Sequence, residues 1–247
     1  MKFDKEVAVI SGGTTGIGSA TCKKLQQEGA IVYNLDIHDN SAEGVHFIQC
    51  DVRKYEEVEN AIQHIINQEG KIDLLFANAG VHMSGNIEET SIDDFENVLS
   101  INLKGIFYTV KAVIPIMRKQ QKGSIVLAGS DQSFIGKGNS SAYGLTKGAI
   151  GQFTKSTAID YAPHNIRVNC ICPGTIETPL LTKAVAGFDA LTKIGKDAIY
   201  KMLEEAQPIK RIAKPEEVAH VVSFLLSNES SFITGSLIAA DGGYTCQ

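Results

Sequence analysis

The chain has no tryptophan, so its own fluorescence leaves room for that of a bound ligand. Clustered Lys or Arg are also absent; the nearest approach is "RKQQKG" at 118–123, which reads as a solvated helix end. With 23 basic and 28 acidic residues the net charge is −5, so a nucleic-acid or anionic-membrane partner is not expected. The start, "MKFDKEVAVISGG", has too short an apolar run for a signal-peptide core, and no later stretch approaches a membrane span. The five cysteines are scattered, form no C-x-x-C pair and have no histidines at metal-ligand spacing. Reduced, buried thiols in a cytoplasmic protein are the expectation, with no metal site.

What is present is an alternation. Short apolar runs fall at 6–11, 30–35, 45–50, 72–77, 123–129, 166–171 and 236–241. Between them, "GSATCKKLQQEG", "YEEVENAIQHIINQEG" and "DDFENVLSINLKGIFYTVKAVIPIMRKQ" place apolar residues at i, i+3, i+4. Repeated strand–helix units predict a doubly wound parallel sheet of about seven strands with helices on both faces. No linker interrupts residues 1–247, so a single domain is expected. Only 178–212 departs from the rhythm: it is helical in character, broken by Gly187, Gly195 and Pro208, and could cap a site.

"VAVISGGTTGIGSAT" carries Gly12, Gly16 and Gly18 directly after the first strand and at the opening of the first helix. Glycines there allow a tight turn and let a pyrophosphate approach the free N–H groups of the helix. Asp36 ends the second strand, where an acid takes the ribose hydroxyls of an adenosine and repels a 2′-phosphate. Ile37, His38 and Asp39 follow with no Lys or Arg, which favours NAD over NADP. Tyr143 and Lys147 in "YGLTK" stand one helical turn apart. A free phenol has a pKa near 10, and a neighbouring ammonium is expected to lower it.

In order along the chain, "SGGTTGIG" (11–18), "CDV" (50–52), "NAG" (78–80), "NLKG" (102–105), "SIVLAGS" (124–130), "YGLTK" (143–147) and "CPGTIET" (172–178) resemble the short-chain dehydrogenase/reductase family. The resemblance covers essentially the whole chain and implies a Rossmann-type fold. Ser11, Ala77 and Gly129 stand where the family more often has Thr, Asn and Ser. It implies a nicotinamide cofactor held by Gly12, Thr14, Gly16, Ile17, Gly18, Asp36, Asp51, Val52, Asn78, Ala79, Gly80, Tyr143, Lys147, Pro173, Gly174, Ile176 and Thr178. It also implies a catalytic set of Asn102, Ser130, Tyr143 and Lys147. Tyr143 is then the base for alcohol oxidation and the acid for ketone reduction. Lys147 bonds the nicotinamide ribose, Ser130 donates to the substrate oxygen, and Asn102 holds its own helix and orders a relay water.

His82, Met83, Gln132 and Ser133 would line the cleft, with Glu177, Leu180, Leu181 and Phe188 in or beside the lid. The expected activity is NAD-dependent interconversion of a secondary alcohol and a ketone on a small sugar, polyol or hydroxy acid. The alternatives are an NADPH-dependent 3-oxoacyl-thioester reductase and a non-catalytic cofactor sensor. The resemblance further implies a homodimer or homotetramer through the helices around 93–119 and 143–162, and through the C-terminal "SLIAADGGYTCQ".

Overall fold

The computed structural model describes the backbone of residues 1–247 and every side chain except that of Leu191. Seven parallel strands form one sheet in the order β3-β2-β1-β4-β5-β6-β7. They are β1 (Val7–Ser11), β2 (Ile31–Asp36), β3 (His46–Gln49), β4 (Leu74–Ala77), β5 (Gly123–Ala128), β6 (Ile166–Pro173) and β7 (Leu237–Ala240). Each lies within or across a run expected from the sequence. The helices are α1 (Gly16–Gln27), α2 (Tyr55–Glu69), α3 (Ile92–Leu99), α4 (Gly105–Gln120), α5 (Ser141–Tyr161), α6 (Pro179–Thr192), α7 (Lys196–Ala206) and α8 (Pro215–Leu226).

Alternate strand residues feed two cores. Val7, Val9, Leu75, Ile125 and Leu127 face one side, with Val58 and Ile65 of α2, Val110 and Val113 of α4 and Ile150 of α5. Ala8, Ile10, Leu74, Phe76 and Val126 face the other, with Leu25 of α1 and Val218, Val222 and Leu225 of α8. Covering both faces explains why the central strands are unbroken apolar runs, and each fully buried Leu, Ile or Val stabilises by about 1.5–3 kcal/mol. Helix ends follow local chemistry. Glu56 and Glu57 complement the α2 dipole, Gly70 stops that helix at φ 73°, and the Glu217 carboxylate accepts from the Lys214 N–H at the start of α8.

Two features differ from expectation. The helical pattern around 93–119 is interrupted by a π-helical stretch, Ser100–Lys104, between α3 and α4. The resulting helix, Ile92–Gln120, has 29 residues and contains an 18-residue stretch of mean hydropathy 1.2, so by length and composition it does reach a membrane span. Here it supplies Val98, Ile106, Val110, Val113, Ile114 and Met117 to the interior.

Arg167 on β6 donates to the carbonyls of Leu225, Leu226, Ser227 and Ile233 and to Ser124 Oγ, at 2.8–3.3 Å. A guanidinium thereby closes the carboxyl end of α8, where carbonyls lack partners and the dipole is negative. Arg167→Met is expected to lower unfolding free energy by about 3 kcal/mol, read by urea denaturation. A loss below about 1 kcal/mol would mean that water replaces the guanidinium without penalty.

Candidate active site

The site grows from the carboxyl ends of β1, β2, β4, β5 and β6, where the strand order reverses between β1 and β4. Gly12 and Gly16 adopt φ values of 70° and 54°. A Cβ on Gly18 would lie 2.0 Å from the Gly12 carbonyl oxygen, so the loop folds back on its own helix and only glycine fits. Thr15 gives α1 no side-chain cap, which leaves the first N–H groups of the helix facing the loop. Ile17 packs against the core shared by α1 and α8.

A buried scaffold holds this loop. Asn34 on β2 is fully buried; its Oδ1 accepts from Gly13 N at 2.7 Å and its Nδ2 donates to Thr14 Oγ1 and Ser41 Oγ. The Asp36 carboxylate accepts from Thr14 N at 3.1 Å, and Thr14 Oγ1 donates to the His38 carbonyl. Ser11, a departure from the family pattern, accepts from the N–H groups of Asn78 and Ala79, while Asn78 Nδ2 donates to the Gly12 carbonyl. Gly80 stands against Asn102. Across the loop, the Thr178 methyl would lie 3.0 Å from a Cβ on Gly16, and Thr178 Oγ1 caps α6 by accepting from Leu181 N. Ile176 and Pro173 are buried beneath it, and Gly174 packs so tightly that a Cβ would lie 2.8 Å from Asp241 Cα. At the sheet's other side, Val52 is buried against Gly105 and Asp51 forms a two-pronged pair with Arg53. These residues fit a dinucleotide: a glycine cradle, uncapped helix N–H groups and an acid at the end of β2.

The four residues of the expected catalytic set are all buried: Asn102, Ser130, Tyr143 and Lys147. Tyr143 and Lys147 share the inner face of α5, with Lys147 Nζ 5.6 Å from the phenol ring centre. Nζ donates to the Ala128 carbonyl at the end of β5, at 2.8 Å. The π-helical turn brings Asn102 inward, but its amide does not hold its own helix as expected. Oδ1 accepts from Val81 N, and Nδ2 donates to Val81 O and to Thr146 Oγ1. It pins the loop after β4 to α5.

The electrostatics correct the expected lowering of the phenol. Burial pushes Tyr143 up to about 12; the Ser130 hydroxyl pulls it back and the Asp131 carboxylate pushes it further up. Burial likewise brings Lys147 down to about 8. Both charged forms are disfavoured because neither side chain keeps its hydration shell. His82 sits with its ring centre 5.0 Å from that of Tyr143; burial first, then the Lys137 charge, lowers its pKa.

Of the other cleft residues, Met83 packs with Val98, Ala142 and Tyr143. Gln132 Oε1 is buried without a partner. Ser133 does not face the cleft as a free hydroxyl, because its Oγ donates to the Lys147 carbonyl and accepts from Ser130 N. Leu180 and Phe188 are exposed on α6, which packs on α7 over the stretch expected to form a lid. Among the described residues no group of three or more His, Cys, Asp or Glu could hold a metal. Sequence reasoning missed Asn34, Asp131 and Lys137. A lone Asn inside the apolar strand "VYNLD" was a usable signal for the first.

Fold and site together define a nicotinamide-dependent oxidoreductase on a doubly wound sheet. The chain matches the family model described as enoyl-(acyl carrier protein) reductase over residues 12–245. It is 34% identical over 256 residues to a cyclopentanol dehydrogenase of a Comamonas species, covering 99% of this chain and 98% of that protein. It is 35% identical over 256 residues to a 3-oxoacyl-(acyl-carrier-protein) reductase of Thermotoga maritima, covering 98% and 99%. The ligand-free aldohexose dehydrogenase of Thermoplasma acidophilum superposes with a TM-score of 0.93 at 37% identity, covering 99% of this chain and 96% of that one. The chain belongs to the short-chain dehydrogenase/reductase family and is an NAD(P)-dependent oxidoreductase.

Proposed function

We propose that the protein is an NAD-dependent dehydrogenase that interconverts a secondary alcohol and a ketone on a small polar substrate, a sugar, polyol or hydroxy acid. The observation that carries the reading is the convergence of Ser130, Tyr143 and Lys147 in one buried corner at the carboxyl end of β5. Tyr143 takes the alcohol proton in oxidation and returns it in reduction. Ser130 bonds the reacting oxygen and steadies its charge. Lys147 bonds the nicotinamide ribose and adds positive charge beside the phenol, while Asn102 fixes the loop that faces both. When bound, the nicotinamide supplies the hydride acceptor and, oxidised, a positive ring charge. The dinucleotide would lie along Gly12, Thr14, Gly16, Ile17 and Gly18, with Asp51, Val52, Asn78, Ala79 and Gly80 toward one side and Pro173, Gly174, Ile176 and Thr178 toward the other.

Asp36 supports NAD. Its carboxylate lies against the glycine loop, and the exposed residues that follow, Ile37, His38 and Asp39, add no Lys or Arg for a 2′-phosphate. The likeness to the Thermotoga reductase favours a second reading, an NADPH-dependent 3-oxoacyl-thioester reductase. Polar groups near Tyr143 and the likeness to an aldohexose dehydrogenase favour a small hydroxylated substrate.

The test is reduction of NAD⁺ and NADP⁺ across secondary alcohols, sugars, polyols and hydroxy acids, with NADH and NADPH binding read by fluorescence. Turnover of one class with NAD⁺ preferred is expected. Tighter NADPH binding would favour the reductase, and binding without turnover a sensor. A homo-oligomer is also part of the proposal: Phe107 on α4 and Leu145 and Ile159 on α5 are exposed, at 45%, 52% and 76%. Sedimentation equilibrium should give a dimer or tetramer, and a monomer would count against it.

A further inference from the structure

Asp131 directly follows Ser130 and is only 3% exposed. Both of its oxygens are engaged. Oδ1 accepts the Ser130 hydroxyl at 2.8 Å, and Oδ2 accepts Lys137 Nζ at 2.6 Å. Lys137 Nζ in turn lies 4.3 Å from the ring centre of Tyr244, close enough for a cation–π contact. The Tyr244 turn is tied down by Asp241, which accepts from Gly243 N, Thr245 N and Thr245 Oγ1. An ion pair within the loop after β5 thus stands next to Ser130, and its lysine meets the C-terminal segment through the Tyr244 ring.

Burying the Asp131 carboxylate is costly, and an apolar contact would close the same loop without that cost. Its position gives the pair a use. With Asp131 accepting its proton and Gln132 N–H donating to its oxygen, the Ser130 hydroxyl is held in one orientation until a substrate oxygen competes with Asp131 for that proton. The charges also reach the rings: Asp131 acts on Tyr143 and Lys137 acts on His82.

Resting on the dehydrogenase reading above, we propose that Asp131 is a positioning residue of the acid–base site. It fixes the direction of the Ser130 hydroxyl and the negative field at Tyr143, with Lys137 as counter-charge and Tyr244 holding the lysine in place. The other titratable groups around Tyr143 are His82 from the loop after β4 and Lys147 on α5, with Cys170 and Cys172 of β6 acting on Lys147.

The test is titration of the Tyr143 phenol in the NAD⁺ complex by ¹³C NMR of Cζ-labelled tyrosine. The signal is assigned by its absence in Tyr143→Phe, and no substrate is needed. Asp131→Asn should move the midpoint down by about one pH unit and Lys137→Met should move it up, while Lys137→Arg restores the wild-type value. In turnover, Asp131→Asn should cost less than about twofold once Ser130 is already alanine, because the two act as one unit. A midpoint unmoved in both single variants, or moved the same way in both, overturns the proposal. Absence of wild-type turnover would count against the dehydrogenase reading instead, and it would leave the titration readable.

Discussion

Tyr143→Phe is expected to lower turnover by about 10³-fold or more while NADH still binds, because the substitution removes one oxygen and leaves the packing intact. The ring is held by Val98, Ala142, Val81, Met83 and Phe95, and none of these contacts uses the hydroxyl. Folding should therefore match the wild type by circular dichroism. The buried phenol, pushed up to about 12, is a ready acid for reduction and a weak base for oxidation at neutral pH. Oxidation should accordingly be the more alkaline of the two directions. Retained turnover in the variant would remove Tyr143 from the chemistry and with it the acid–base assignment.

Lys147→Met is expected to abolish useful turnover and yet make the protein more stable at neutral pH. The ammonium is buried, and its pKa falls from the ordinary 10.5 to about 8. The unfolded chain then holds the proton more tightly than the folded one. Stability is thus lowered fully below pH 8, and it recovers as the pH rises from 8 to 10.5. A difference of that size corresponds to about 3 kcal/mol, offset by roughly 1 kcal/mol for the lost bond to the Ala128 carbonyl. A gain of about 2 kcal/mol is expected in denaturant melts at neutral pH, shrinking as the pH approaches 10.5. A variant less stable than wild type at neutral pH would show that Nζ is solvated or ion-paired in the folded protein. Lysine at this position is then kept for its charge in the site, at a cost to the fold.

Much of the architecture was written in local pattern. Runs such as "VAVIS" and "LLFA" are too short for helices and apolar on both faces, and their alternation with helical segments fits a covered parallel sheet. Gly12, Gly16 and Gly18 between a strand and a helix specify a backbone shape through the steric freedom of their own Cα atoms. The i, i+4 spacing of Tyr143 and Lys147 placed both on one helical face, and the structure puts that face inward.

What sequence could not decide depends on neighbours distant along the chain. Whether the Tyr143 pKa rises or falls turns on burial, and desolvation is the largest influence on both Tyr143 and Lys147 once they leave water. Asn102 became a clamp on Val81 because a π turn rotates it inward, and no periodicity in "SINLKG" announces that turn. The Asp131 carboxylate is buried only because Lys137 arrives from one side and Tyr244 backs the lysine from the end of the chain. Periodicity and glycine placement are short-range properties that a sequence carries directly. Burial and paired charge arise only when the sheet closes and distant segments displace water from the same corner.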